Sequence, residues 1–372
     1  GEPSRHQFVL DLTHPGAYEQ VRAQLLALLG ANRIAYLKWD HNRLLVEAGR
    51  QPGGEAAAHA QTLAVYRLMD ELRAAHPGLE IESCASGGGR VDLGILERTQ
   101  RIWGSDCNDP LERTAINRLT QLLAPPEMVG AHIGPSPSHT TGRSHPLAFR
   151  AAAALWCHLG VEQDLTELDA ADLAELKGWI AFHKRHRELL HSGTVVNADT
   201  DGLAVHGVVA EDQSRALFSV TLLERSMVWP LELIPFPGLA PDRNYRPRLV
   251  SPVGLVGRDG GDGGDGGGTG GVHSGGDGGG QSRQSGGQSS LESGQSGQSG
   301  GESGQSGQSG QSGGTGGGQG GAGAGPVREG LPPWAAASPA PVMTGRMLEA
   351  DGLAGLRQWP ETAYFVEFAA AD

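Results

Sequence analysis

The sequence predicts an α/β fold: a parallel layer of alternating strands and helices, followed by a smaller all-β part. Three observations predict it. Short apolar runs alternate with runs of helical period up to about residue 190. Beyond that point short apolar segments separated by turn residues replace the helical pattern. Between residues 258 and 325 the chain is almost entirely Gly, Ser, Gln and Asp, which marks an insertion rather than a folded element.

The elements follow in order. Phe8–Leu12 reads as a connection into a helix over 16–30, where Val21, Leu25, Leu28 and Leu29 share one face and Gly30 is the stop. A strand is expected over 34–40. A second helix spans 56–75, with Leu63, Tyr66, Met69 and Leu72 in register, and ends at His76-Pro77-Gly78. Strands follow at 79–84, 100–105, 127–133 and 157–163. Pro110-Leu111-Glu112-Arg113 opens a third helix, with proline at a tolerated early position. Two more helices are expected over 147–158 and 167–190, the latter preceded by the capping residues Thr166 and Asp169. Strands at 202–209, 216–221 and 361–369 complete the pattern, with Tyr364, Val366 and Phe368 alternating in the last.

Composition excludes several classes. At 372 residues the chain suffices for one large domain and a smaller one. A formal net charge of −13 argues against a nucleic-acid partner. Three cysteines give no disulfide framework and suit a reducing compartment. Cys84 reads as a buried small residue or as a pocket wall, and Cys107 and Cys157 as structural. No apolar run reaches the roughly 18–20 residues of a membrane span. Residues 1–15 lack the features of a signal peptide, so the expected location is cytoplasmic. Five strand–helix steps can be placed where a closed barrel needs eight strands, so the amino-terminal part of such a barrel is expected to be missing.

The segment Tyr36-Leu37-Lys38-Trp39-Asp40-His41-Asn42-Arg43 runs from apolar residues straight into charge. It delivers Lys38 and Asp40 to a strand's carboxyl end, the place where α/β folds carry out chemistry. The plain alternative is a strand followed by a solvated turn. Ile81-Glu82-Ser83-Cys84-Ala85-Ser86-Gly87-Gly88-Gly89-Arg90 repeats the plan with a glycine loop. Arg101-Ile102-Trp103-Gly104-Ser105-Asp106-Cys107-Asn108-Asp109 ends a third stub on a tryptophan and an aspartate. Two carboxylates beside tryptophans are the equipment for cleaving a sugar acetal: one attacks the anomeric carbon, the other protonates the leaving oxygen.

These three blocks, in this order, resemble glycoside hydrolase family 36, the bacterial α-galactosidases or melibiases, over roughly residues 5–250. The resemblance implies a partial (β/α)8 TIM barrel, about strands four to eight, over 1–190. It also implies a small carboxy-terminal β-sandwich over 191–257 and 326–372, interrupted by the disordered insertion at 258–325. It implies a retaining α-galactosidase acting on sugars such as melibiose and raffinose, with Asp40 as nucleophile and Asp106 as general acid/base. Asp109 is the rival for the acid role. Lys38, Trp39, Asn42, Cys84, Gly87 and Trp103 are expected to bind substrate, as is Arg5 by a looser match. Lys38 is expected to favour the ionised form of Asp40. His41 stands where many members carry methionine. The partners implied are α-galactoside sugars, with homo-oligomers as in relatives, and neither nucleic acid nor membrane.

No cofactor is expected. The glycine triplet at 87–89 lacks the Gly-Lys-Ser/Thr ending of a phosphate loop and fits a tight backbone approach to a sugar better. His132 and His139, in the loop after the strand at 127–133, read equally as sugar contacts or as loop packing. A metal site built from His41, His132, His139 and His145 has no close-spaced ligand pair behind it. An inactive or structural fragment and an α-galactosyl transferase of the same fold are the alternative functions.

Overall fold

In the computed structural model of the chain, the described residues are 7–42, 45, 49–50, 53–200, 202–224, 233–251, 332–355 and 360–371. Two units are distinguished: residues 1–257 with 326–372, and residues 258–325. The second unit, where the disordered insertion is expected, lies outside the described residues, as does Arg5.

A parallel sheet contains β1 (Tyr36–Trp39), β2 (Glu80–Ser83), β3 (Arg101–Trp103), β4 (Val129–Ile133) and β5 (His158–Val161), and their order in the sheet is their order in the chain. All five strands expected from the sequence are present. The register sets Trp39 beside Ser83, Ser83 beside Ile102, Trp103 beside Gly130 and Ile133 beside Val161. The carboxyl ends therefore form one rim, and the loops at 40–42, 84–90, 104–109 and 134–145 all start from it. This is the arc of a (β/α)8 barrel.

The connecting helices are α1 (Pro15–Ala31), α2 (Ala58–Ala75), α3 (Pro110–Thr120), α4 (Leu147–Ala154) and α5 (Ala170–Ser192). Asp109 and Asp169 cap α3 and α5 by accepting backbone N–H bonds from the first turns. Two helix faces are narrower than their apolar stripes. In α1, Leu29 is buried but Leu28 is 46% exposed; in α2, Tyr66, Met69 and Leu72 are buried but Leu63 is 51% exposed. Each helix packs one side on the sheet, so the flanking leucines fall outside the contact. α4 stops short of residue 158 because Leu155, Trp156 and Cys157 turn into the core ahead of β5.

Beyond α5 an antiparallel sheet contains β6 (Thr194–Asn197), β7 (Leu203–Val209), β8 (Arg215–Leu222), β9 (Asn244–Val250) and β10 (Thr362–Ala371). The spatial order is β9-β10-β8-β7-β6, with the short strand Met343–Thr344 outside β9. The facing layer includes the pair Leu233–Ile234 and Leu353–Ala354 and the short helix Gly345–Ala350. β9 escaped the sequence reading because its alternation is carried by Tyr245 and Pro247 between arginines.

β10 lies between β9 and β8, although the insertion separates it from them in sequence. It is buried on both faces. Tyr364, Val366 and Phe368 enter the core between the β layers with Phe218, Phe236 and Tyr245. Phe365 points the other way, with ring centroids 5.7 Å from Trp179 and Phe182 and 6.0 Å from Trp156. One strand thus ties the β part to the helices of the parallel layer.

Candidate active site

Strand alternation decides which side chains of β1 reach the site. Tyr36, Lys38 and Asp40 share one face. Leu37 and Trp39 share the other and pack against the core under α1 and α2, with Leu68, Met69 and Ile81. The Trp39 ring is half-buried and supports the strand from behind, while its carbonyl faces the loops and accepts from Arg90 at 2.9 Å.

Lys38 reaches the site, and it is not among the groups that lower the Asp40 pKa. Its Nζ lies 2.9 Å from Oε1 of Glu82, a buried carboxylate on β2 that also accepts from the Tyr36 hydroxyl. The same ammonium sits 4.3 Å from the centroid of a Trp103 ring. Lys38 is thus held by Glu82 and Trp103. What keeps Asp40 ionised is a set of short donors. Burial raises the Asp40 pKa, but bonds from the Cys84 thiol, the Asn42 amide and the His41 and Ser86 backbone N–H groups outweigh it, leaving the pKa below the ordinary carboxylate value. Asn42 Nδ2 donates to Asp40 Oδ2 at 2.6 Å and His41 N to Oδ1 at 2.8 Å. Asn42 therefore orients the carboxylate with the amide that was expected to meet a sugar.

Asp106 leaves β3 on the neighbouring loop and is exposed. Trp103 Nε1 donates to its Oδ1 at 3.0 Å, and Cys84 Sγ lies 4.0 Å from the same oxygen. The Cys84 side chain therefore touches both carboxylates. Its thiol is pushed up to about 11, first by burial and further by Asp40, so it stays protonated and acts as a donor between them. Asp109, the rival acid, is fully buried and otherwise engaged. It caps α3, accepts from the Thr141 hydroxyl, and is ion-paired to Arg143 at 2.7 Å.

The glycine triplet also has a structural reason. Gly87 has φ +81°, and a Cβ there would lie 2.8 Å from Ser105 Cα and 2.9 Å from Asp106 N. A Cβ on Gly88 would lie 2.6 Å from the Gly104 carbonyl oxygen. The loop after β2 thus packs backbone to backbone on the loop that carries Asp106.

Several contributors were not singled out from the sequence, and His132, read there as either a sugar contact or loop packing, joins them. Arg90 donates to the Trp39 and Cys84 carbonyls at 2.9 and 3.0 Å and to Ser83 Oγ at 3.1 Å, clamping the carboxyl ends of β1 and β2 together. Arg113 is buried behind Trp103, 4.3 Å from a ring centroid, and donates to the Ser105 carbonyl. The His132 ring lies tilted against Trp103, centroids 4.4 Å apart, while its Nδ1 lies 2.7 Å from Glu162, which also accepts from Asn108 at 2.9 Å. Glu82 was the legible signal, a carboxylate at a buried position of β2 between Ile81 and Ser83. The arginines gave none, because their partners are backbone carbonyls, which carry no residue-type pattern.

His132 is engaged with Trp103 and Glu162, while His145 Nε2 lies 3.1 Å from a Glu361 carboxylate oxygen. Among the described residues no group of three or more His, Cys, Asp or Glu is arranged to hold a metal ion. No described helix is long and apolar enough to cross a membrane.

The chain is similar to several known α-galactosidases. An α-galactosidase of Escherichia coli is 43% identical over 249 residues, covering 66% of this chain and 35% of that protein. Alpha-galactosidase AgaA of Geobacillus stearothermophilus is 31% identical over 248 residues, covering 65% and 34%. The crystal structure of the latter, a family 36 α-galactosidase, superposes with a TM-score of 0.63 at 31% identity, over 66% of this chain and 35% of that one. The chain spans about a third of the length of these relatives. The family model described as Melibiase matches residues 2–193, the stretch that holds the whole rim from Lys38 to Glu162. The chain belongs to the melibiase family.

Proposed function

We propose that this chain carries the nucleophile and the acid/base of a retaining α-galactosidase. The observation that carries the reading is that Asp40 and Asp106, from separate strand ends, share the Cys84 thiol at one rim beside Trp103.

Their surroundings divide the labour. Asp40 receives several donors and keeps its charge, as a nucleophile must. It attacks the anomeric carbon of a terminal α-galactose as Asp106 protonates the leaving oxygen. Asp106, now a base, activates the water that releases galactose from Asp40. Two inversions return the α-configuration. Retention calls for carboxyl groups about 5–5.5 Å apart. Lys38 and the Trp103 indole offer a donor and an apolar face for the sugar. The substrate class proposed is α-galactoside oligosaccharides. An AgaA variant 30% identical to this chain is described in complex with stachyose. The division of the folded part near residue 190 belongs to the same reading, since α5 ends at Ser192 and β6 begins at Thr194.

The test is to incubate the full chain with an aryl α-galactoside and follow aryl release alongside the anomer of galactose by proton NMR. Early appearance of α-galactose is expected. β-galactose appearing first would refute the double displacement. No release at all would leave the inactive-fragment reading standing, and galactosyl products formed with an added sugar acceptor would show transfer.

A further inference from the structure

A small space with apolar and polar walls lies away from the rim, between the helices of the parallel layer and the antiparallel sheet. It is a cavity of about 20 Å³ bounded by α3, α4 and the face of β7 and β8. Register explains its lining. His206 pairs directly with Ser219, and Ala204 with Thr221, so alternate residues of both strands present one face toward Asn117 and Gln121 of α3.

The imidazole of His206 has a defined hydrogen-bonding sense. Its Nδ1 lies 2.8 Å from Asn197 Oδ1, which also accepts from Arg118 Nε at 3.0 Å. An amide oxygen only accepts, so Nδ1 carries the hydrogen and Nε2 presents a lone pair. Burial, and then the nearby Arg118 charge, push the imidazole down to about 3, which keeps it neutral. His206 is 3% exposed, and its Nε2 has no hydrogen-bond partner among the described residues. The same holds for Gln121 Oε1, whose amide nitrogen points instead at Cys157 Sγ, 3.2 Å away. Two buried acceptors thus border one small space. Buried acceptors without donors are costly and uncommon in folded proteins.

Volume and chemistry together select the occupant. A cavity needs roughly 10–15 Å³ of this kind of volume to hold one water, and a water needs two to four polar partners. A sugar ring is far too large. A cation such as ammonium would sit beside Arg118, and an anion would meet two acceptors. We infer that this cavity is a binding site for a single neutral double donor, one internal water that bonds His206 Nε2 and Gln121 Oε1 and accepts from Ser219 or Thr221. It links α3 to β7 and so fastens the parallel layer to the antiparallel sheet, independently of the proposed catalysis.

The test is a high-resolution crystal structure of the full chain. One isolated density peak within about 3.2 Å of both His206 Nε2 and Gln121 Oε1 is expected. A cavity without density, or a Ser219 or Thr221 hydroxyl turned directly onto Nε2, would overturn the inference. Gln121→Leu should abolish the peak while leaving His206 in place, and an unchanged peak would also overturn it. Nitrogen-15 NMR of His206 covers a variant that does not crystallise. A hydrogen-bonded, unprotonated Nε2 is expected in the native chain, and its resonance should move toward that of a bare acceptor in Gln121→Leu. A bare Nε2 signal in the native chain would be decisive against the site.

Discussion

Gly87→Ala tests how the two carboxylates are brought together. The native residue has φ +81°, a region that costs an L-residue about 1–2 kcal/mol. The added methyl would also lie 2.8 Å from Ser105 Cα and 2.9 Å from Asp106 N, both backbone atoms that no rotamer change can move aside. To reach an ordinary 3.4 Å contact, the Asp106 loop must retreat by about 0.6 Å. A displacement near 1 Å at a reacting group can cost about 100-fold in rate, so a fall of about 10- to 100-fold in kcat/KM is expected. Gly142→Ala is the control. It has φ +73° but open space around the would-be methyl, so it carries the backbone cost alone. Both variants would be assayed for aryl α-galactoside hydrolysis and for denaturant stability. Gly142→Ala should lose about 1–2 kcal/mol with unchanged rate, and Gly87→Ala should lose more of both. Equal losses in the two variants would refute the claim that close packing of the loops sets the carboxylate geometry.

Four further outcomes follow from the same structure. Asp106→Ala should reduce hydrolysis of raffinose-type sugars far more than that of an activated aryl galactoside, which needs little acid assistance; parallel losses in steady-state kinetics would remove its acid role. Asp109 is held below the ordinary carboxylate value: burial alone would raise it, but Arg143 and Thr141 outweigh that. A depressed folded value means that its contribution is present above the unfolded pKa of about 3.9 and is lost as pH falls through the folded value. Stability measured from neutral pH downward should therefore fall less steeply in Asp109→Asn than in the native chain. Phe365→Ala should cost about 3–5 kcal/mol in chemical denaturation and loosen the helical and β layers together, since this ring is shared with Trp156, Trp179 and Phe182. Arg90→Lys should lower kcat more than it raises KM, because an ammonium cannot reproduce the fork across the Trp39 and Cys84 carbonyls; unchanged kcat would show that the clamp has no positioning role.

Local pattern determined much of this protein. Five strands, the helices between them and the roles proposed for Asp40 and Asp106 were legible because each is written in a short run of residues: an apolar stretch, a proline or glycine stop, a charge at a strand end. The family was legible for the same reason, through three blocks in order. Only the tertiary structure decided what those residues face. It packed Trp39 against the core, gave Lys38 to Glu82 and Trp103, assigned Asn42 to Asp40, and engaged Asp109 as a helix cap. It also drew Phe365, on the far side of the insertion, into the strand that joins the layers. Strand alternation, register and backbone approach set these partners, and those of Trp39, Lys38 and Phe365 depend on elements that the sequence holds tens of residues apart.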